Sequence, residues 1–480
     1  MSSALPLIEE LSPALRPEDA WLRLARHPHC LFLDSAMWHE RLGRYSFLAA
    51  DPFTFLQFPS DGSDALSHLE RAIRNYQSER LSELPPFQGG AAGLFGYELG
   101  GSLERLPRPS HDEFQVPAMA VGLYDVVVAF DHVADRAWII SQGFPEQLPD
   151  RRRERAARRL AEVRGWLKES MCDGPVSTAA PPHQKPALAV DQFAPQFEVP
   201  ALAGVSSNFS RSAYLAAVQR VIDYIYAGDV FQVNLAQRLL CRAHCDSTAL
   251  YRQLRHCNPA TFAGYFDLGD SQILSASPER FLKVADRSIE TRPIKGTRPR
   301  TGDPAIDCVV EAELLQCEKD RSENVMIVDL LRNDLSRVST PESVRVSQLC
   351  GIEAYEHVLH LVSAVESRLR DDCGPIDLLR AAFPGGSITG APKVRAMEII
   401  TELESTARGA YCGSLGYLGF DGTMDLSILI RTITASRGWW QFPVGGGIVA
   451  QSCPENEYQE TWHKAEGMLR AIFRCQRGGR

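Results

Sequence analysis

The sequence predicts an α+β fold, and three features carry that reading. Strand-like runs bounded by Gly, Pro and Asp fill residues 1–171, helical and hairpin-like segments alternate over 207–480, and a Pro- and Ala-rich stretch, 172–206, shows neither periodicity. That stretch reads as a linker or surface loop. Of the 480 residues, 44% are hydrophobic and 23% charged, which is enough apolar material for a large packed core.

In chain order, HCLFLDSA, RYSFLAADPF and MAVGLYDVVVAFDHV are the first strand candidates, and QGGAAGLFGYELG is a glycine-rich connection between them. RRRERAARRLAEVRGWLKES places Leu160, Val163, Trp166 and Leu167 at helical spacing, so its charges form a solvated helix face rather than a nucleic-acid arm. After the linker, helices are expected over 210–227, 312–335, 375–382, 393–403 and 455–473. Between them SQILSASPERFLKV, LGYLGFDG, LSILIRTITAS and WQFPVGGGIVAQS read as strands and hairpins. No internal repeat of fixed period is present.

The net charge of −9, with both signs mixed along the chain, argues against nucleic-acid binding. The amino terminus lacks the basic and apolar regions of a secretory signal, and no run is apolar enough to span a bilayer, so no membrane partner and a cytoplasmic location are expected. In that setting the 12 cysteines, spread from Cys30 to Cys475, read as reduced and mostly buried thiols. Cys241, His244 and Cys245 resemble half a metal site, but no second pair completes four ligands.

Several positions could carry chemistry. Lys295 sits in TRPIKGTRPR, where Pro293, Gly296 and Pro299 preclude a helix and favour a rigid extended turn; the lysine is either a fixed nucleophile or one more cation in a basic loop. Asp320 and Glu323 are three apart on one helix face, and Glu457 and Glu460 repeat that spacing ahead of Lys464. Two carboxylate pairs suit a hard cation, although Glu460 and Lys464 also fit an ordinary surface ion pair. Arg431 interrupts the apolar run LSILIRTI, where a charge is costly unless an anion meets it. Gly445, Gly446 and Gly447 expose backbone to close approach, as a bulge or a carboxylate site would need. FPGGSITGAPK offers Ser387 and Thr389 ahead of a helix, and His360 in EHVLHLVSAV is either a proton donor or a core histidine.

Ten segments in order, from GDVFQVNLAQR through SASPERFL, PIKGTRPR, SENVMIVDLLRNDL, HVLHLVSAV, FPGGSITGAPK, YCGSLGYLGFDG, LSILIRT and VGGGIVAQS to ENEYQETWHKAEGML, resemble the chorismate-utilising enzymes. That family includes anthranilate synthase large subunits, aminodeoxychorismate synthase component I, isochorismate synthases and salicylate synthases. The resemblance implies one large intertwined α/β sandwich to which 1–171, the anthranilate-synthase-like region, also contributes strands; 207–480 would hold the chorismate-binding region. It implies Mg2+ held directly by Glu323 and Glu460 and through water by Asp320 and Glu457, Asp320 standing where the family often has Glu. It implies that Tyr411, Arg431, Lys464 and the amides of Gly445 to Gly447 hold the carboxylates of chorismate, that Ser387 lines the pocket, and that His360 stands beside the leaving 4-hydroxyl. The motif PIKGT, with Lys295, matches the aminodeoxychorismate synthase branch, whereas anthranilate synthases usually carry PIAGT. Gln232 in FQVNL stands where the isochorismate and salicylate branch places a water-activating lysine. The implied reaction converts chorismate and ammonia to 4-amino-4-deoxychorismate, on the way to 4-aminobenzoate and folate, through a covalent Lys295 adduct. A separate glutamine amidotransferase subunit would supply the ammonia. An anthranilate synthase large subunit, or a silent regulatory binder, are the competing expectations. Asp34, Ser35, Arg44, Tyr45 and Ser46 match the family's tryptophan pocket, whose LLES-type motif is altered to FLDSA here.

Overall fold

In a computed structural model, which describes residues 6–12, 15–169, 185–355 and 358–478, two antiparallel sheets pack face to face with helices on their outer sides. Each sheet is assembled from both halves of the sequence. The larger begins with Leu7–Glu10, Arg136–Ser141, Val126–Asp131, Tyr45–Ala49 and Leu31–Asp34, then continues through Phe262–Asp267, Ser271–Ser277, Thr432–Ser436, Trp439–Ile448 and Gln232–Arg242. The smaller runs from Ile294–Pro299 through Val358–Arg368, Ser288–Thr291, Arg280–Ala285, Met424–Ile428 and Ser414–Gly419 to Gly90–Phe95, Met119–Tyr124 and Thr54–Phe58. The mixed α+β class and the sandwich are therefore as expected.

Strand periodicity sets the layers. Val126 and Val128 face one way, into a core shared with Trp21, Leu160, Tyr251 and Met468 of the outer helices. Val127 and Ala129 face the other way, into the layer between the sheets, with Ala92, Leu94 and Leu415 from the opposite sheet. Both faces are covered, which is why VVVAF reads as an unbroken apolar run rather than an alternation. Outside the smaller sheet, Val328, Leu379 and Met397 from three helices close a third core. The helices start where their caps place them: Ser210, Asp246 and Asp303 each accept a backbone N–H of the first turn, and Pro304 follows Asp303 at the first helical position.

Four expectations are corrected. The helix expected over 312–335 is two helices, Pro304–Gln316 and Glu318–Ser336, because Cys317 steps into an extended conformation (φ −66°, ψ 101°) without a Gly or Pro to mark it. Lys295 lies not in a turn but in Ile294–Pro299, a strand at the edge of the smaller sheet, where Pro299 forfeits no interior ladder bond. The Pro- and Ala-rich stretch is not wholly a linker: Leu188 and Ala194 are buried, and Phe197–Glu198 and Val205–Ser207 pair at the sheet edge, too short to show a period. Its residues 172–184 lie outside the described residues. Finally, the cysteines are neither all reduced nor mostly buried. Cys245 and Cys475, 230 residues apart, form a disulfide between the loop after Gln232–Arg242 and the last helix, while Cys308 and Cys453 are exposed. With Cys245 so engaged, the half-site it would share with Cys241 and His244 does not form. No helix among the described residues is long and apolar enough to cross a membrane.

Candidate active site

A cavity of about 550 Å³ opens beside the paired strands Gln232–Arg242 and Trp439–Ile448. In that pair Asn234 stands opposite Gly447 and Ala236 opposite Gly445, so these side-chain positions share one face, and the glycines leave it hollow. The remaining walls come from Glu279, from the edge strand with Lys295, from Glu318–Ser336 with Lys319, Asp320 and Glu323, and from the last helix, Pro454–Gly478, with Glu460 and Lys464. His360, Ser387, Tyr411 and Arg431 complete the lining. Of the thirteen residues expected at the catalytic, substrate and metal sites, only Gly446 and Glu457 do not line the cavity, and both lie directly behind it.

The edge strand presents Lys295 through a bulge. Its register against Val358–Arg368 slips between Lys295 and Thr297, and the intervening Gly296 has φ +71°. A Cβ there would stand 2.8 Å from Leu314 and 3.0 Å from the Asp320 carboxylate, so the turn admits only glycine without a shift. The Lys295 Nζ lies 3.3 Å from Glu323 Oε2.

Besides Glu323, three carboxylates at or just behind the cavity face a cation. Glu460 pairs with Lys464 at 2.7 Å, Glu457 with Lys319 at 2.7 Å, and Asp320 with Arg298 at 3.2 Å. Burial works against the charge of Glu460, but Lys464 outweighs it and holds that carboxyl below its usual range. The donors suit a hard divalent cation. A Cβ on Gly446 would stand 3.2 Å from Glu460 Oε1 and 3.5 Å from Glu457 Oε2, and one on Gly447 would stand 3.2 Å from Glu323 Oε2. Three carboxylates from two helices therefore converge above two glycines, and Glu457 Oε2 is buried without a hydrogen-bond partner. As they stand, no three acidic, His or Cys groups among the described residues are close enough together to enclose an ion.

Arg431 makes no side-chain hydrogen bond or ion pair among the described residues, and its φ of +52° is unusual for a branched-free cation held at a strand start. An unpaired guanidinium in a cavity wall has donors in the fork geometry that suits a carboxylate. Lys464 Nζ also donates to the Gly445 carbonyl at 2.8 Å, which fixes its ammonium at the rim. His360 shares a hydrogen bond with Thr297 Oγ1 at 2.9 Å; burial, with Arg431 nearby, lowers its pKa to about 4 and keeps the ring neutral.

Sequence reasoning missed Glu279, the carboxyl best placed for proton transfer. It is buried at the start of Arg280–Ala285, accepts a hydrogen bond from Ser387 Oγ at 3.0 Å, and burial pushes its pKa up to about 7. Unlike Arg431 within LSILIRTI, Glu279 lies between the runs SQILSAS and RFLKVA, after Pro278, where no apolar neighbour on both sides marks it as buried. Asn234 and Lys319 were missed as well. Of the tryptophan-pocket candidates, Asp34, Ser35, Arg44 and Tyr45 border a separate cavity, while Ser46 bonds the Ser35 N–H behind it. The Asp34 carboxylate there already accepts from Arg255 and Tyr251.

Comparison with known proteins bears on this geometry. The family model described as chorismate binding enzyme matches residues 28–470. The chain belongs to that family. It is 42% identical over 422 residues to aminodeoxychorismate synthase component 1 of Escherichia coli, covering 88% of this chain and 83% of that protein. It is 38% identical over 473 residues to anthranilate synthase component 1 of Thermus thermophilus, covering 96% of each. Among solved structures, anthranilate synthase component I from Streptococcus pneumoniae superposes with a TM-score of 0.74 at 31% identity, covering 90% of this chain and 94% of that one. As a member of that family the chain is an enzyme that acts on chorismate, and the cavity presents Lys295, Arg431 and Lys464 on its walls.

Proposed function

We propose that the chain is the ammonia-using component I of an aminodeoxychorismate synthase, and that Lys295 forms a covalent adduct with chorismate. The observation that carries this reading is the primary amine of Lys295, set by the Gly296 bulge into the same cavity as Arg431, Lys464, Glu279 and the convergent carboxylates. The 42% identity to a relative named aminodeoxychorismate synthase component 1 supports it. Glu323 and Glu460, backed by Asp320 and Glu457, would hold Mg2+. Bound there, the ion supplies positive charge against the ring carboxylate of the substrate.

Arg431 and Lys464, with Tyr411 beside them, anchor carboxylates and orient the ring, and Ser387 holds Glu279 in place. Protonated Glu279 gives its proton to the departing 4-hydroxyl, a role that neutral His360 fills less well at neutral pH. Lys295, after giving its ammonium proton to solvent, adds as the free amine at C2; the ring electrons shift toward C4 and the hydroxyl leaves as water. Ammonia then bonds to C4, the electrons shift back, and the lysine amine departs with its bonding pair. The carboxylate of Glu279 takes the surplus proton from the new ammonium group. A glutamine amidotransferase subunit would supply ammonia in glutamine-dependent turnover.

The test is to incubate the purified chain with chorismate, Mg2+ and an ammonium salt beside Lys295→Ala. The expected product is 4-amino-4-deoxychorismate, with activity lost by at least about 10²-fold in the variant. Anthranilate as the product, as the 38% identical relative's name would lead one to expect, or an unaffected variant, would overturn the reading.

A further inference from the structure

The strand Gln232–Arg242 carries two carboxamides that the fold leaves without partners. Asn234 Oδ1 and both polar atoms of Gln232 are buried and make no hydrogen bond among the described residues, and the residues are only 7% and 0% exposed. Two residues apart on a strand, they project from one face, which is the face occupied across the ladder by Gly445 and Gly447. Asn234 lines the cavity, and Gln232 reaches over Gly447 so closely that a Cβ there would collide with its amide nitrogen. Buried amides in protein interiors are ordinarily bonded, so two unsatisfied ones side by side are a costly arrangement unless a ligand completes them.

The backbone around Asn234 is fixed from behind. Its N–H donates to the Thr389 carbonyl at 2.8 Å, and the buried Arg408 donates both to the Asn234 carbonyl at 2.7 Å and to the Ile388 carbonyl at 3.0 Å. The same arginine thus ties the Asn234 backbone to the loop of Ser387, whose hydroxyl holds Glu279. The side-chain oxygen of Asn234 is left without a partner among the described residues, on a backbone anchored to the segment that positions the proton-transferring carboxyl.

We propose that the Asn234 carboxamide, the one of the two that lines the cavity, is the seat of the attacking ammonia. This rests on the ammonia-using reading above. A carboxamide oxygen accepts an N–H of ammonia while leaving its lone pair free, and being neutral it does not favour the unreactive ammonium ion as a carboxylate would. When the lone pair bonds to C4 and the lysine amine leaves C2, the proton shed by the new ammonium group passes to Glu279. Asn234 is a positioning residue in this scheme; it holds the nucleophile and exchanges no proton with it.

The experiment uses the full-length chain with Asn234→Leu, which keeps the shape but removes the amide, and Asn234→Ser, which keeps an acceptor; both must melt cooperatively. Two quantities are read: formation of the Lys295 adduct from chorismate and Mg2+ without ammonia, by intact-protein mass spectrometry, and the KM for ammonium at saturating chorismate. In Asn234→Leu the adduct forms at the wild-type rate while the KM for ammonium rises about tenfold, with partial recovery in Asn234→Ser. An unchanged KM for ammonium, or a fall in adduct formation matching the fall in turnover, overturns the assignment. If the wild type forms neither adduct nor amino product, the underlying functional reading has failed and this inference falls with it.

Discussion

Glu279 makes two demands on one carboxyl, and they can be separated by pH. With its pKa raised to about 7, the folded protein retains a proton there that the unfolded chain, with the ordinary glutamate value of 4.5, has already released. The folded state's advantage therefore shrinks as pH rises through that window, and above about 7 the cost of burying the charge is complete. Glu279→Gln removes the charge but keeps an acceptor for Ser387. It should melt at a higher temperature than wild type at pH 8, by a margin worth on the order of 3 kcal/mol, with little difference at pH 4.5. Its adduct formation should fall about 10²- to 10⁴-fold and lose the limb near pH 7 from its pH–rate profile. A variant less stable at pH 8, or one with an unaltered profile, would count against Glu279 as the acid. Residues of this kind divide by how visible their cost is in sequence. Arg431 was legible because a charge inside LSILIRTI has no cheap explanation. Glu279 sits at a strand start after Pro278, where a glutamate passes for surface, and only the fold shows that it is buried. Asn234 was illegible for a related reason: an amide in a strand costs little if bonded, and bonding is a property of the folded neighbourhood.

Among the elements, the edge strand Ile294–Pro299 is the one whose local geometry sets function. Gly296 and Gly302 both have left-handed backbone, φ +71° and +82°, but the space around them differs. A Cβ at 302 meets nothing within 4 Å, whereas one at 296 meets Leu314 and Asp320. Alanine at either position should therefore carry the cost of a left-handed non-glycine residue, about 1–2 kcal/mol, but only Gly296→Ala should disturb the bulge and re-aim Lys295. The expected result is a loss of thermal stability in both, larger in Gly296→Ala because of the added contacts, with Lys295 adduct formation falling in Gly296→Ala alone; equal adduct rates would show that the bulge does not aim the lysine. The sequence made the long amphipathic elements legible, as with 375–382 and 393–403, because their periodicity reports one buried face. It hid the bulge and the break at Cys317, since prolines and glycines mark both turns and irregular edge strands, and a helix break needs no special residue when packing imposes it. The Cys245–Cys475 disulfide was equally hidden, because spacing along the chain says nothing about which residues the sheet order brings together.

At the scale of the whole molecule, the sheets leave neither sequence region complete. Leu31–Asp34 pairs with Phe262–Asp267 in the larger sheet, and Gly90–Phe95 pairs with Ser414–Gly419 in the smaller one, so each sheet crosses from one region to the other through a central ladder. Cutting the chain between them would expose strands buried on both faces, together with their unpaired N–H and C=O groups. The layer between the sheets would open too, since Leu31, Ala92 and Leu94 from one region pack there with Leu240, Phe266 and Leu415 from the other. The fragment 207–480, although it holds Lys295, Glu323, Glu460 and Arg431, should therefore show no cooperative thermal transition and form no adduct with chorismate. Co-expression with 1–206 should restore both, because the missing partner strands return without a covalent link. A fragment 207–480 that melts cooperatively and forms the Lys295 adduct alone would show instead that the catalytic region is an autonomous unit and that the shared ladders are dispensable.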